Sequence, residues 1–521
     1  MGIIAKGVVN DFLTAKLDSF SWIKKSKRQD LLAFLDDTGY ELDFKLKPFD
    51  HQLASIALGL EMPEFLFLLD MGTGKSAIAL NIIAARSKAK EIKRTLVLVP
   101  GPANIIGWEE EIALHSDLTC TLLLGDRKAK NKALETESDI YVINYSGLQS
   151  IVTSLEKVAG RKSKQRTIDK KLLLDFSRLF DCIIFDELHM CKSTKSLTYR
   201  ICQQLSKESS FRYGLTGTPF GRDPVDFWAE FFLVDRGETL GQTLGLYRAA
   251  YFEEKNNWFG GTEYTFNKKL AGSLARRLRH RSIRYADHEC NDIPKKFSKN
   301  IVVEFPPDIK EKYQELIEKI IESKQNVSES ENVFMQMRQI ASGFIKLTTD
   351  AGEEIYVDFP VNPKMEALES LLSSLPAKRK MVIFYEFTKS GDMIEQMLKE
   401  RKIKYGRLDG TVKDKTVPYK RFKEDPKCTV FMCNSKSGGT GLNFQVANYV
   451  TFYESPVSPI VRKQAEKRCH RTGQTRRTYI YSILVKDSVD IRIAEFIEEG
   501  KNLFDLLIED KKGSILTRLF A

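Results

Sequence analysis

The chain has 521 residues, of which 42% are apolar and 29% are charged, and its formal net charge is +11. This composition predicts two or three folded domains and excludes a disordered or fibrous chain. No apolar run approaches membrane-spanning length, the N-terminus lacks a secretory pattern, and the eight cysteines form no CxxC pair. We therefore expect a cytoplasmic protein with reduced thiols, whose positive charge suits a polyanionic partner.

The order of apolar and polar segments predicts five regions. Residues 1–45 contain no chemical motif and are predicted to be an N-terminal extension. Residues 46–235 alternate apolar strand-like runs with helical patterns, which predicts a parallel sheet covered by helices on both faces. Residues 236–357 are predicted to be helical and basic, residues 358–488 alternate again, and residues 489–521 are predicted to form a C-terminal helical brace. The predicted fold is α/β, with two parallel-sheet lobes in tandem.

The first alternating region contains the run Asp-Met-Gly-Thr-Gly-Lys-Ser at residues 70–76, between an apolar run and a helical pattern. A glycine-rich turn at such a position directs backbone N–H groups and a helix N-terminus toward phosphate. Lys75 adds a cation for the outer phosphates, and the Ser76 hydroxyl is a ligand for Mg²⁺. The strict pattern has a glycine where this chain has Leu69, so the turn alone also fits a strand–helix connection without a ligand. The candidate ATP-binding residues of this turn are Met71, Gly72, Thr73, Gly74, Lys75 and Ser76.

Two adjacent carboxylates, Asp186 and Glu187, follow the apolar run at residues 182–185. At this position Asp186 can hold a metal ion through its water shell, and Glu187 can orient and deprotonate an attacking water. Alone, such a pair is also typical of a solvated turn. The phosphate-type turn and the acidic pair together predict nucleotide hydrolysis.

The second alternating region has no phosphate turn but contains Gln-Ala-Glu-Lys-Arg-Cys-His-Arg-Thr-Gly-Gln at residues 464–474. Arg468 and Arg471 are three positions apart, which predicts that both project from one helical face. Guanidinium groups directed at a γ-phosphate neutralise the charge that develops there, although a surface patch has the same composition. A glycine-rich turn at residues 438–443 lies nearby. We therefore expect one nucleotide pocket shared by two lobes, which close on binding and open after hydrolysis.

The order of these motifs resembles the Swi/Snf-type ATPases, the double-stranded-DNA translocases of helicase superfamily two, from residue 46 to residue 507. The resemblance rests on the entry motif at residues 46–52, the coupling motif Tyr-Gly-Leu-Thr-Gly-Thr-Pro at 213–219 and the arginine motif. It implies two RecA-like lobes, ATP and Mg²⁺ as cofactors, and double-stranded DNA as the partner. The short middle segment favours a minimal bacterial or viral form, in a bacterial cytosol or a virus-infected cell.

The resemblance also implies roles for further residues. It assigns ATP binding to Gln52 and Gly441, coupling to Thr216, Thr218 and Gln464, and a nucleic-acid track to Pro100, Trp108, Lys436, Gly438 and Thr440. The sequence Pro-Val-Ser-Pro at residues 456–459 replaces the family's usual Pro-Trp-Asn-Pro, so the contact of this lobe with DNA stays unassigned.

Four functions are compatible with these motifs. The leading hypothesis is an ATP-dependent motor that moves along duplex DNA. A strand-separating or annealing helicase on forked DNA or RNA is a close alternative, which a strand-displacement assay distinguishes. A P-loop kinase or transferase would respond to a small molecule and not to nucleic acid. A non-catalytic scaffold would bind DNA and nucleotide without turnover, which the complete set of catalytic side chains argues against.

Overall fold

The computed structural model describes most of the chain in two compact units, Met1–Asn291 and Asp292–Ala521. The described residues are 5–157, 164–217, 224–256, 262–286, 289–290, 294–322, 327–348, 354–410, 416–435, 442–471 and 474–499.

The first unit is built around a parallel sheet of apolar strands. Its strands are β1 (Glu64–Leu69), β2 (Thr95–Val99), β3 (Cys120–Leu122), β4 (Ile140–Asn144), β5 (Thr153–Lys157), β6 (Lys164–Ile168), β7 (Cys182–Asp186), β8 (Phe211–Thr216), β9 (Phe252–Asn256), β10 (Thr262–Phe266) and β11 (Ser282–Tyr285). Seven of these described strands form one sheet in the order β11-β1-β8-β7-β2-β4-β3, with parallel neighbours throughout. The pairs β5–β6 and β9–β10 are antiparallel hairpins.

Helices cover both faces of this first sheet. They are α1 (Lys6–Thr14), α2 (Arg28–Asp37), α3 (Asp50–Glu61), α4 (Lys75–Lys88), α5 (Pro102–His115), α6 (Arg127–Ala133), α7 (Tyr145–Val152), α8 (Lys170–Ser177), α9 (Leu197–Glu208), α10 (Asp226–Asp235), α11 (Leu244–Tyr251) and α12 (Ala271–Leu278). Along β2, Leu96 and Leu98 enter one hydrophobic cluster while Val97 and Val99 enter another. Successive side chains of a strand point to opposite faces, so both faces of the sheet are buried.

The second unit repeats this architecture with a second parallel sheet. Its strands are β12 (Phe297–Val303), β13 (Phe344–Thr348), β14 (Glu354–Asp358), β15 (Met381–Tyr385), β16 (Lys404–Leu408), β17 (Cys428–Asn434), β18 (Tyr449–Phe452) and β19 (Tyr479–Val485). Its helices are α13 (Pro307–Glu322), α14 (Val327–Ala341), α15 (Pro363–Ser373), α16 (Thr388–Glu400), α17 (Thr416–Glu424), α18 (Pro459–Glu466) and α19 (Val489–Glu498). For the described residues the sheet order is β12-β19-β18-β15-β17-β16, again with parallel neighbours.

Residues 236–357 contribute to both sheets. Strand β11 pairs with β1 in the first unit, and β12 pairs with β19 in the second. This stretch therefore contains strands as well as helices. The predicted α/β fold with two parallel-sheet lobes is confirmed. None of the described helices has the length and apolar character needed to cross a membrane.

Candidate functional site

The sheet order of the first unit brings three sequence motifs together. Strands β1, β8 and β7 are neighbours in the sheet and run in the same direction. The phosphate-type turn at residues 70–76 follows β1, Thr216 ends β8 and Asp186 ends β7. Because the carboxyl ends of parallel strands meet at one edge, the turn, the coupling motif and the acidic pair all lie at the edge where α/β sheets bind ligands.

The phosphate-type turn has a fixed shape. Gly72 and Gly74 have φ angles of 80° and 83°, in the left-handed region that favours glycine. A Cβ atom on Gly74 would lie 2.2 Å from Nε2 of Gln52. The same Gln52 amide donates to the carbonyl of Thr73 at 3.2 Å, and Nε2 of His51 donates to that carbonyl at 2.8 Å. The predicted ATP-binding Gln52 therefore lies against the turn. The sequence analysis did not identify His51 as a residue that contacts the turn, although its position next to Gln52 was a signal for it.

Lys75 is the first residue of α4, where its side chain can reach the turn. Its Nζ donates to the carbonyl of Leu69 at 3.0 Å. A Cβ atom on Gly217, just after β8, would lie 3.1 Å from the same Nζ. Ser76 follows on the first turn of the helix and is half-buried, and Met71 is buried. The amine of Lys75 thus lies close both to the end of β1, at Leu69, and to the coupling motif, at Gly217.

The acidic pair is held by buried aromatic side chains. The indole Nε1 of Trp108 donates to Oδ2 of Asp186 at 2.9 Å, and the hydroxyl of Tyr145 donates to the Asp186 carbonyl at 3.0 Å. Burial raises the pKa of the Tyr145 phenol well above its ordinary value, so this hydroxyl keeps its proton. Glu187 adopts φ 49° and ψ 54°, an uncommon backbone conformation for a residue with a side chain.

His189 connects the acidic pair to the neighbouring strand. It lies in the short 3-10 helix Leu188–Cys191, directly after Glu187. Its Nδ1 lies 3.3 Å from Oε2 of Glu187 and 3.4 Å from Oγ1 of Thr216. The predicted coupling residue Thr216 is therefore linked through one imidazole ring to the predicted general base.

The arginine motif of the second unit lies beyond the end of a helix. Helix α18 ends at Glu466, and the half-buried Arg468 and Arg471 lie in the turns that follow. The expectation that both project from one helical face is wrong. The buried side chain of Gln474 donates to the carbonyls of three residues around this segment, Gln445, Ala447 and Cys469. The turns are therefore anchored to the protein interior. Gln464 lies within α18 and is half-buried.

Arg462 on α18 has a structural environment that the sequence did not reveal. Its guanidinium lies 3.4 Å from the ring centroid of Phe452. It donates to Oγ of Ser455 at 2.7 Å, to Oγ of Ser482 at 2.8 Å and to Glu466 at 2.8 Å. These contacts attach α18 to the sheet. The one signal in the sequence was the spacing of Arg462 and Glu466, four residues apart.

The predicted nucleic-acid track is described only in part. Pro100 is half-buried at the end of β2. Trp108 is 3% exposed, so its indole belongs to the environment of Asp186. Thr218 of the coupling motif and Lys436, Gly438, Thr440 and Gly441 of the second unit lie outside the described residues.

The basic stretch at residues 268–284 separates into two groups. Arg277 donates to the carbonyls of Thr239 and Phe12, at 2.9 Å and 2.6 Å, and so ties the N-terminal extension to the first unit. Arg281 pairs with Glu238 at 2.7 Å. Four other cations of the stretch are exposed and form no ion pair within the described part of the chain: Lys268, Lys269, Arg276 and Arg279.

Comparisons with known proteins agree with this site. The model of the SNF2-related domain matches residues 53–350, and that of the helicase conserved C-terminal domain matches residues 363–473. The chain belongs to the SNF2-related family. The first match includes the phosphate-type turn and the acidic pair, and the second includes both motif arginines. The Swi/Snf resemblance is therefore confirmed.

Several relatives align with most of this SNF2 chain. An uncharacterized ATP-dependent helicase of Mycoplasma genitalium is 24% identical over 85% of this chain and 40% of its own length. The ATP-dependent helicase FUN30 of Saccharomyces cerevisiae is 25% identical over 85% of this chain and 45% of its own. The solved SWI2/SNF2 ATPase core of Sulfolobus solfataricus in complex with dsDNA shares 19% identity over 91% of this chain and 96% of its own, with a TM-score of 0.40. The present chain spans less than half the length of the curated relatives it matches.

Proposed function

We propose that this SNF2 chain is an ATP-dependent motor that hydrolyses ATP and translocates on duplex DNA. The observation that supports it most is the meeting of the phosphate-type turn, the acidic pair and Thr216 at the carboxyl ends of three adjacent strands. Family membership supports the same activity, because the matched relatives carry the name ATP-dependent helicase.

In this proposal the first unit binds the nucleotide. Backbone N–H groups of the turn at residues 70–76 and the cation of Lys75 receive the phosphates, and Gln52 contacts the adenine. The Ser76 hydroxyl and the Asp186 carboxylate are hard oxygen donors, which fits Mg²⁺ held together with water and phosphate. When bound, Mg²⁺ supplies positive charge to the phosphate oxygens.

Glu187 is the proposed general base. Its carboxylate would orient the attacking water and accept its proton. His189 contacts both Glu187 and Thr216, which ends β8. The next residue after Thr216 is Gly217, which lies beside Lys75. These contacts connect the proposed base to β8 and to the phosphate-binding lysine. A shift of the coupling motif would therefore move the base relative to the phosphates.

Arg468 and Arg471 are proposed to stabilise the charge that spreads onto the γ-phosphate during transfer. Arginines in this role contribute rate factors of about 10³–10⁵. Their anchored position around Gln474 suits the task, because preorganised charge needs no rearrangement as the reaction proceeds.

Duplex DNA is the proposed polymer. The four exposed cations of the 268–284 stretch lie near helix α12, where they can contact phosphates without reading bases. Such contacts release counterions, so affinity should fall steeply as the salt concentration rises. A flat salt response would argue against movement along the backbone.

The decisive experiment compares ATPase rates with duplex DNA, single-stranded DNA, forked DNA and RNA in parallel. We expect the largest stimulation with duplex DNA and no strand displacement. Lys75→Ala should abolish turnover, whereas Lys88→Ala at the other end of α4 should leave it unchanged. Glu187→Gln should still bind ATP but lose about 10²–10⁴-fold in rate. Equal turnover with and without every nucleic acid would overturn the proposal.

A further inference from the structure

Trp108 is a buried side chain whose indole N–H is directed at the edge of the sheet where Asp186 lies. It lies on α5, which follows β2, and β2 pairs directly with the strand that ends at Asp186. The indole is 3% exposed, and its Nε1 donates to Oδ2 of Asp186 at 2.9 Å. A buried indole N–H needs an acceptor, and a bond to a carboxylate is about twice as strong as one between neutral groups.

Asp186 is thereby held at two points. The phenol of Tyr145 fixes its main chain through the carbonyl oxygen, and Trp108 fixes the rotation of its carboxylate. The next residue, Glu187, adopts the left-handed conformation, and the strand ends directly before it, at Asp186. The bond from Trp108 thus helps to set the direction of the first carboxylate at this edge of the sheet.

We propose that Trp108 is a positioning residue for the metal-binding carboxylate of Asp186. The proposal rests on the proposed function, because it requires Asp186 to take part in holding Mg²⁺. A hydrogen-bond donor that contacts a metal-binding side chain orients that side chain. Loss of such a donor typically costs about 10–100-fold in metal affinity or activity. The proposal replaces the expectation that Trp108 contacts nucleic acid.

The first test compares two Trp→Phe variants, which remove an indole N–H and keep an aromatic ring. Trp108→Phe should raise the Mg²⁺ concentration for half-maximal ATPase activity by about 10-fold or more. It should leave the duplex DNA concentration for half-maximal stimulation unchanged. Trp228→Phe is the matched control, because Trp228 is buried in the same unit and donates to the Gly241 carbonyl, away from Asp186. It should change neither quantity.

Trp108→His tests whether the N–H group itself is responsible. Histidine retains a ring N–H, so it should recover part of the Mg²⁺ dependence that phenylalanine loses. A purely structural role would show the opposite order, because phenylalanine fills the apolar site better than histidine does.

A second readout does not depend on activity. The 521-residue chain, with its four tryptophans replaced by 5-fluorotryptophan, gives ¹⁹F NMR signals that single Trp→Phe variants assign. The Trp108 signal should shift when Mg²⁺ and a non-hydrolysable ATP analogue are added, and shift less when EDTA accompanies the analogue. The Trp228 signal should show no such difference.

Failure of this inference is distinguishable from failure of the proposed function. A wild-type protein without Mg²⁺-dependent ATP hydrolysis on any nucleic acid contradicts the proposed function. An active wild type with unchanged Mg²⁺ dependence in Trp108→Phe, or with only its DNA affinity weakened, overturns the role of Trp108. If Trp108→Phe does not fold, the ¹⁹F signal of the wild-type protein decides: a Mg²⁺-specific shift supports the role and its absence overturns it.

Discussion

The imidazole Nδ1 of His189 lies 3.4 Å from the hydroxyl of Thr216. The two residues belong to different motifs: His189 lies in the 3-10 helix that follows the acidic pair, and Thr216 ends the adjacent strand β8. Because His189 also lies 3.3 Å from Glu187, a movement of β8 can shift the proposed general base. This contact is a physical candidate for the link between polymer binding and hydrolysis.

Replacing the Thr216 hydroxyl should uncouple hydrolysis from DNA. Thr216→Val keeps the volume of the side chain and removes the oxygen that faces His189. We expect the basal ATPase rate to change little and the stimulation by duplex DNA to fall about fivefold, because one lost hydrogen bond is worth about 1 kcal/mol. Steady-state ATPase assays with and without saturating DNA measure both rates.

Thr451→Val is the matched control for this change. Thr451 is a fully buried strand threonine of the second unit, and its hydroxyl contacts Sδ of Met381. The control should keep the full stimulation. Equal losses in both variants would show that the effect comes from packing.

The two motif arginines should act on turnover and not on affinity. Arg468→Ala and Arg471→Ala should each bind ATP about as tightly as the wild type and lose roughly 10³-fold in kcat. Nucleotide affinity measured by fluorescence anisotropy, beside single-turnover hydrolysis, separates the two quantities. Arg476→Ala removes an exposed arginine just beyond the motif and should leave both unchanged. A loss of affinity as large as that in Lys75→Ala would contradict the assignment.

Much of the fold followed from the sequence because it depends on local pattern. Apolar runs such as those of β2 and β7 alternate with helical stretches, and parallel strands bring their carboxyl ends to one edge. The meeting of the phosphate-type turn with the acidic pair was therefore predictable. The strand order that puts β8 between β1 and β7 was not, because it depends on contacts between residues far apart in sequence.

Individual side-chain roles were less predictable than the motifs themselves. Trp108 and Arg277 belong to types that often bind nucleic acid, yet the structure buries the first against Asp186 and uses the second to hold the N-terminal extension. The end of α18 at Glu466 was also missed, because side-chain bonds from Gln474, at the far end of the same motif, help to shape the turns that follow. A linear pattern contains no information on such partners.

A buried ion pair joins two helices of the second unit. Nζ of Lys364 on α15 lies 2.6 Å from Oδ2 of Asp490 on α19 and donates to the carbonyl of Tyr453 at 3.0 Å. Lys364 is 1% exposed. Removal of one partner leaves the other charge buried, which typically costs about 3–5 kcal/mol. Lys364→Met should therefore lower the free energy of unfolding by about that amount in urea titrations.

Two further variants test this explanation. Lys364→Met combined with Asp490→Asn removes both charges and should recover much of the lost stability. Lys389→Met breaks a more exposed pair with Asp358, of similar length at 2.7 Å, and should cost less than about 1 kcal/mol. Similar losses in the two single variants would mean that burial does not set the cost.

The carboxyl of Glu230 gives the first unit a pH-dependent stability. Glu230 lies on α10, is fully buried, and neither of its carboxyl oxygens has a hydrogen-bond partner in the described structure. Its pKa is raised well above the ordinary value of 4.5, and burial is the largest cause. The negative charge of Asp226 is the second cause. The thiol of Cys191 and the carboxylate of Glu187 act in the same direction, and Lys192 opposes them. The folded protein therefore keeps this carboxyl neutral to a higher pH than the unfolded chain does.

The sign of the pH dependence follows from that raised pKa. Below about pH 4.5 the group is protonated in both states, and above it the unfolded chain releases the proton while the folded chain retains it. Stability is therefore lost as the pH rises toward the folded pKa. Glu230→Gln is neutral at every pH, so its advantage over the wild type should grow by about 1.4 kcal/mol per pH unit in this window. Urea unfolding of both proteins at successive pH values from about pH 5 upward measures the difference, and a constant difference would show that Glu230 ionises normally in the folded protein.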